Sequence, residues 1–420
     1  MKKDNPNSIG KTDSNLIQED RSASKKSEKS LLSSKIAKSG VRKNKTDKNQ
    51  RKGLIVIGLL VLVFFVLLVI LIYKLPESPE VSEDDQLPQI DTANIRDVFS
   101  FEPHEASRYH SFNDKLVYFS QDQLAIKNYS GEIIYQEQIE FDRPIAVQSD
   151  LFFIAGDRNS SQLIVLDDRT KKFTLYLDGV FAGAYFGADQ YLAVIDENPE
   201  KPGYVHIVDL SNGEKILTLQ FVESGYPLAI SFSNNLDFFD VLLINTKGST
   251  LQPIIKRYDL EGNQLGQKMP GEHPFLYGKI FHDQSNNIVL GSTSNLLVLD
   301  LEQEEPIAEY SSGRVFEIIS NSKLTAFTSM HLDGNLKIVS WDESNKRFTE
   351  LEIDTINSLD GFISGNNLIA FYANNSLRVY DQNKNTIVLD QMINADIVRI
   401  GFNGNQLVLI TKQGVKILDL

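Results

Sequence analysis

The sequence predicts an all-β domain, an eight-bladed β-propeller, carried on a single N-terminal transmembrane helix. Three observations predict it. A pattern of two apolar strands joined by a polar turn, "VHIVDLSNGEKILTL" at 205–219, recurs as "LIVLDDRTKKFTLYL", "IIKRYDLEGNQLGQK", "LKIVSWDESNKRFTELEI" and "LRVYDQNKNTIVLDQ". The copies are evenly spaced and contain only strand-length apolar runs. Apart from them, near the N-terminus, stands one long apolar stretch without a charge.

The first 52 residues hold 15 Lys and Arg against 6 Asp and Glu, a net of +9, so the whole-chain charge of −14 leaves −23 on residues 53–420. This tail contains nine Ser and no aromatic residue. It therefore cannot bury enough apolar surface to offset the entropy of folding, and residues 1–52 read as a disordered basic tail. Without aromatic residues for base stacking, nucleic acid is a poor partner for it.

Residues 53–73, "GLIVIGLLVLVFFVLLVILIY", are apolar on every helical face. At about 1.5 Å per residue such a helix covers the roughly 30 Å hydrocarbon core, so this segment is expected to contact the lipid bilayer along its length. The long preceding region and the absence of a small-residue cleavage site argue for a retained signal anchor. Arg42, Lys43, Lys45, Lys48, Arg51 and Lys52 flank it on one side, while Lys74 and then six acidic residues follow it. By the positive-inside rule the N-terminus is cytoplasmic and the rest extracytoplasmic, a single-pass cell-membrane protein. The basic cluster also suits attraction to anionic lipid, with topology-setting alone as the alternative. Residues 74–94 are acidic and contain Pro, and read as an extended, self-repelling linker.

From residue 95 the repeat takes over. Short apolar strands begin at Leu116, Leu151, Tyr191, Val241, Asn287, Leu324, Leu368 and Leu407. Their mean spacing of about 42 residues is that of propeller blades. Within a unit an inner strand, the apolar strand, a strand ending in Asp, a turn and an outer strand follow one another. The Asp residues are Asp167, Asp209, Asp259, Asp300, Asp342, Asp381 and Asp419, with Ser130 expected in that role in the first unit. A carboxylate there can accept N–H groups of the turn, and Gly213 or Gly262 can take a positive φ, which makes these acids structural. The last unit stops at "VKILDL" without an outer strand, whereas "IRDVFSF" at 95–101 has strand character and no partner. It is expected to supply the missing strand and close the ring. Seven blades is the alternative, since the unit boundaries around 95–120 and 231–260 are loose.

The elements "IVDLSNGEK" and "SWD", with the single anchor, resemble the membrane-anchored propeller proteins of low-GC Gram-positive bacteria, relatives of the WD40-like and quinoprotein-like propellers. The resemblance implies the fold over most of 95–420 and a cell-envelope role. It implies no inherited active site: the WD40 Gly-His element is missing, and only Trp341-Asp342 shows the Trp-Asp dipeptide.

No catalytic set is found. The chain has no cysteine, so disulfides and thiolate metal sites are excluded, and its single Trp lies in a repeat strand. It lacks the sialidase Asp-box, G-x-S-x-G, a Walker A loop and H-E-x-x-H, and its six histidines show no metal-ligand spacing. No cofactor or metal is expected. Negative charge argues against DNA. Propellers usually bind through the loops that lead into their inner strands, and there aromatic and Arg side chains suggest partner contacts. The candidates are Arg143, Tyr185, Tyr226, His273, Phe275, Tyr277 and Arg314, with "GEHPFLYG" the strongest loop. The expected function is a non-enzymatic scaffold for an envelope protein partner. The alternative is a sensor or binder of a cell-wall sugar or other small ligand, signalling through the tail.

Overall fold

The computed structural model describes residues 95–420 except 159, 199–200, 272–274, 321–323, 330–334, 354–357 and 366. The tail, the apolar stretch 53–73 and the whole linker 74–94 lie outside the described residues, and His273 does too. Among the described residues no helix is long and apolar enough to cross a membrane.

Eight four-stranded antiparallel sheets follow one another along the chain. Blades 1 to 7 span residues 109–138, 144–176, 180–220, 226–268, 279–311, 314–353 and 361–392. Blade 8 takes three strands from 397–419 and its outer strand, Ile95–Ser100, from the other end of the described chain. Ile95 pairs with Leu418 and Ser100 with Gly414. Eight blades and the predicted closure are both present.

The second strands are buried on both faces: Phe153–Asp157 and Ile288–Gly291 contain only buried residues. Each blade lies between two neighbours, so both faces of its middle strands need apolar side chains, and the sequence there is an unbroken apolar run. Outer strands such as Lys215–Gln220 alternate instead, one face packed and the other wet. Eight apolar clusters fill the gaps between blades. One, with Tyr109, Leu116 and Tyr118 against Val408, Ile410 and Val415, lies between blades 1 and 8. The ring therefore has no end blade.

The strand-end acids act as predicted. Asp167 Oδ1 accepts Arg169 N and Thr170 N at 2.8 Å, Asp259 Oδ1 accepts Asn263 N at 2.7 Å, and Asp381 Oδ1 accepts Asn383 N at 2.9 Å. At Asp209, hydrogen bonds from the Ser211 side chain and backbone hold the carboxyl below its ordinary range. Gly213 and Gly262 take φ of +80° and +89°. One expectation is corrected. In blade 1 the turn acceptor is Asn128, whose Oδ1 takes Ser130 N at 3.0 Å and Glu132 N at 2.9 Å, not Ser130. An amide oxygen does the same work as a carboxylate there. Asp419, with no turn after it, accepts Gln406 Nε2 at 2.7 Å.

Candidate functional site

The ring has two unlike faces. One carries the loops that lead into each inner strand and the turns between second and third strands. The other carries the Asp-capped turns. Ile95 begins, and Leu420 ends, on this second face, where Leu420 N donates to Asn405 O.

The predicted partner residues separate on the lead-in face. Arg143 is exposed, and the Asp157 carboxylate fixes its loop by accepting Asp142 N at 2.8 Å and Arg143 N at 3.0 Å. Arg314 is exposed, with its guanidinium 4.4 Å from the Phe316 ring centre. Tyr226 is 48% exposed. Tyr185 is half-buried and donates its hydroxyl to Leu228 O at 2.9 Å across the gap between blades 3 and 4. Burial pushes its pKa up to about 12. Phe275 is half-buried against the cluster between blades 4 and 5. Tyr277 is fully buried, its hydroxyl on Asn295 Oδ1 at 3.1 Å, and it presents no surface to a partner.

What lies exposed around Tyr226 is aliphatic: Val222, Leu251, Met269 and Leu276 are each more than half exposed. Strand register places three of these five side chains at one end of blade 4. Tyr226 pairs with Ile244, Leu251 adjoins the Gln252–Asn245 pair, and Met269 follows Lys268, the partner of Ile255. Val222 and Leu276 lie on the loops leading into blades 4 and 5.

Two buried polar networks brace the ring, the first between blades 4 and 5 and the second within blade 3. Asp240, fully buried, accepts Arg257 Nε at 3.0 Å and Arg257 Nη2 at 2.8 Å, and lies 2.8 Å from His282 Nε2. His282 Nδ1 lies 2.9 Å from both Ser231 Oγ and Phe232 O. A serine, a histidine and an aspartate in line have the composition of a nucleophile set. The Phe232 carbonyl competes with Ser231 Oγ for Nδ1, however, so the geometry gives Ser231 no dedicated base. In blade 3, Asp196 Oδ2 accepts Asp178 N at 3.0 Å and lies 3.2 Å from His206 Nε2. Burial lowers the His206 pKa.

The inner strands line a central channel. On one side His110, Tyr372 and Arg399 border a cavity of about 380 Å³. Burial, and next the Arg399 charge, hold His110 down to about 3. Arg399 Nη2 donates to Ser107 O at 3.2 Å. On the other side Lys279 pairs with Glu317. Among the described residues no group of three or more His, Asp or Glu is placed to hold a metal ion. On the turn face a separate cleft of about 710 Å³ opens across blades 4 to 7, with Asn234 the contribution of blade 4.

Residues 88–420 match a family of unknown function, DUF5711. The chain belongs to this family. No curated protein matches the DUF5711 chain. Among solved structures it is similar to the crystal structure of BamB from Moraxella catarrhalis, at 15% identity with a TM-score of 0.49, covering 78% of this chain and 100% of that one. A likeness at that level says nothing further about this DUF5711 propeller.

A search for aromatic and Arg residues misses the aliphatic members of the blade 4 edge. Leu251 and Met269 lie just outside the strands Gln252–Asp259 and Gln264–Lys268, where a packed residue is no longer required. The turn-face cleft has no linear signal, because its walls come from four blades.

Proposed function

We propose that this chain is a non-enzymatic, bitopic envelope protein, anchored through residues 53–73 with its N-terminus cytoplasmic, whose propeller recruits a protein partner on its lead-in face. The observation that carries the reading is the exposed apolar edge of blade 4, with Tyr226, Leu251 and Met269 on a closed, rigid ring. Large apolar side chains held in water by a rigid scaffold are the anchors from which protein interfaces gain most of their affinity. The Phe232 carbonyl, which shares His282 Nδ1 with Ser231, supports a binding rather than a hydrolytic role.

In-cell photo-crosslinking from positions 226 and 276 tests it. A dominant protein adduct at either position, absent from a position on the turn face, is expected. Folded protein that yields no protein adduct at both positions would remove the reading.

A further inference from the structure

We propose that the turn-face cleft across blades 4 to 7 binds a short neutral oligosaccharide. Its volume of about 710 Å³ accommodates several sugar rings, and it lies on the opposite face from the blade 4 edge, so the proposal does not rest on the protein-partner reading.

The floor is built and rigid. Trp341 Nε1 donates to Asp283 Oδ2 at 3.1 Å, joining blades 5 and 6. Asp283 Oδ1 also accepts Ser285 N at 3.0 Å and Asn287 N at 2.8 Å. Tyr380 donates its hydroxyl to Asn385 Oδ1 at 2.7 Å, and Gln382 Nε2 donates to Thr325 Oγ1 at 2.9 Å, joining blades 6 and 7. A site held in this way loses little conformational freedom when it is filled.

The accessible groups decide the ligand class. Among the described residues no Lys or Arg lines the cleft, and the ring nitrogens of His282 are already engaged by Ser231, Phe232 and Asp240, so the described wall offers no free cation to a phosphate or a uronic acid. Its carboxylates are largely occupied: Asp283 as above, and Asp342 by Asn345, which donates N to Oδ1 at 3.1 Å and Nδ2 to Oδ2 at 2.8 Å. That leaves Glu343 as the acceptor-only group, beside the side chains of Ser285, Ser344 and Asn383. Amides and hydroxyls both donate and accept, which is what a sugar hydroxyl requires of its partner, and one carboxylate can take two neighbouring hydroxyl protons. The Trp341 and Tyr380 rings are sealed into the floor, so recognition is by hydrogen bonding rather than stacking.

Trp341 is the only tryptophan in the chain, so its fluorescence reports the cleft. The full-length chain, in a detergent without a sugar headgroup, is titrated with neutral tetrasaccharides of α- and β-linked glucose, mannose, galactose and N-acetylglucosamine. Tetragalacturonate and tetralysine serve as the anionic and cationic probes. At least one neutral tetramer is expected to shift the emission saturably, and tetragalacturonate is not. Glu343→Ala and Asn383→Ala, both surface changes, are each expected to weaken that binding tenfold or more with the melting temperature unchanged. Tyr226→Ala is expected to leave the titration unaltered, which separates this site from the partner edge. No saturable shift with any neutral tetramer overturns the proposal. So does binding indifferent to both cleft variants, or saturation by tetralysine alone.

Discussion

Replacing Phe99 by alanine tests the closure of the ring at its seam. Phe99 lies on the strand that completes blade 8, and its ring meets those of Phe101 and Tyr109 edge-on, each at 5.8 Å. It also covers Gly131 of blade 1, where an added Cβ would lie 2.4 Å from the ring. A fully buried Phe→Ala change costs about 3–5 kcal/mol, so a half-buried ring should cost about 2 kcal/mol. With unfolding entropy of about 2.1 cal/mol/K per residue over roughly 330 residues, or about 0.7 kcal/mol/K, that is a fall of about 3 °C in Tm. Calorimetry of the full-length chain measures it, with Ile133→Ser on the exposed outer strand of blade 1 as the unaffected control.

Kinetics sharpen the test. The seam joins residues more than 300 apart in sequence, as Lys416 to Asp97 shows, so its contacts should form late in folding. The loss of about 2 kcal/mol should then appear as an unfolding rate raised about 30-fold with the refolding rate nearly unchanged. An unchanged Tm would show that the strand contributes nothing to the ring. Slowed refolding with unchanged unfolding would refute the late seam.

Three further outcomes follow. Asp240→Ala leaves Arg257 and His282 as donors without their carboxylate and should cost about 3–5 kcal/mol, while Asp240→Leu with Arg257→Met should recover most of it in denaturant titrations. Acid should destabilise the fold through His110, whose folded pKa is about 3 against an unfolded value of about 6.5. The unfolded chain takes up that proton first, so stability present above pH 6.5 falls by at most about 1.4 kcal/mol per unit as pH drops toward 4. His110→Gln should flatten that slope, and an unaltered slope would place the sensitivity elsewhere. Finally, Leu251→Ser with Met269→Ser should leave Tm within about 1 °C, because both side chains are more than half exposed, yet abolish the crosslink from position 226.

The fold was legible where physics acts locally. A second strand enclosed by two blades is mostly apolar, its few buried polar residues such as Asp240 being paired, and "LVLI" or "IVL" advertises that without any knowledge of its neighbours. The Asp turns are equally local, since carboxylate and N–H lie two to four residues apart. Even the substitution in blade 1 was readable in principle, because Asn128 stands two residues before Ser130 and offers the same acceptor. The site was less legible. Across "FLY" at 275–277 the exposure alternates, so Leu276 faces water while Tyr277, the more conspicuous residue, fills the core. Nothing in the linear sequence says which of the two is outside until the register is known. Asp240 and Arg257 face each other on paired strands and could have been found, but His282 arrives from the next blade.

The same physical economy explains why the charge of this domain is a poor guide to its function. A propeller makes many tight turns, each exposing N–H groups, and this chain answers most of them with an acid at the strand end: Asp167, Asp209, Asp259, Asp300, Asp342 and Asp381 are occupied in this way. Others hold the loops of the opposite face, as Asp157 and Asp196 do. Much of the −23 on residues 53–420 is therefore structural, and an acidic surface counted from the sequence overstates the attraction it offers a basic partner. Recognition has to be sought in groups without a structural task. On the turn face these are Glu343 and Asn383, and on the lead-in face the aliphatic edge around Tyr226, two surfaces of opposite chemistry on one ring.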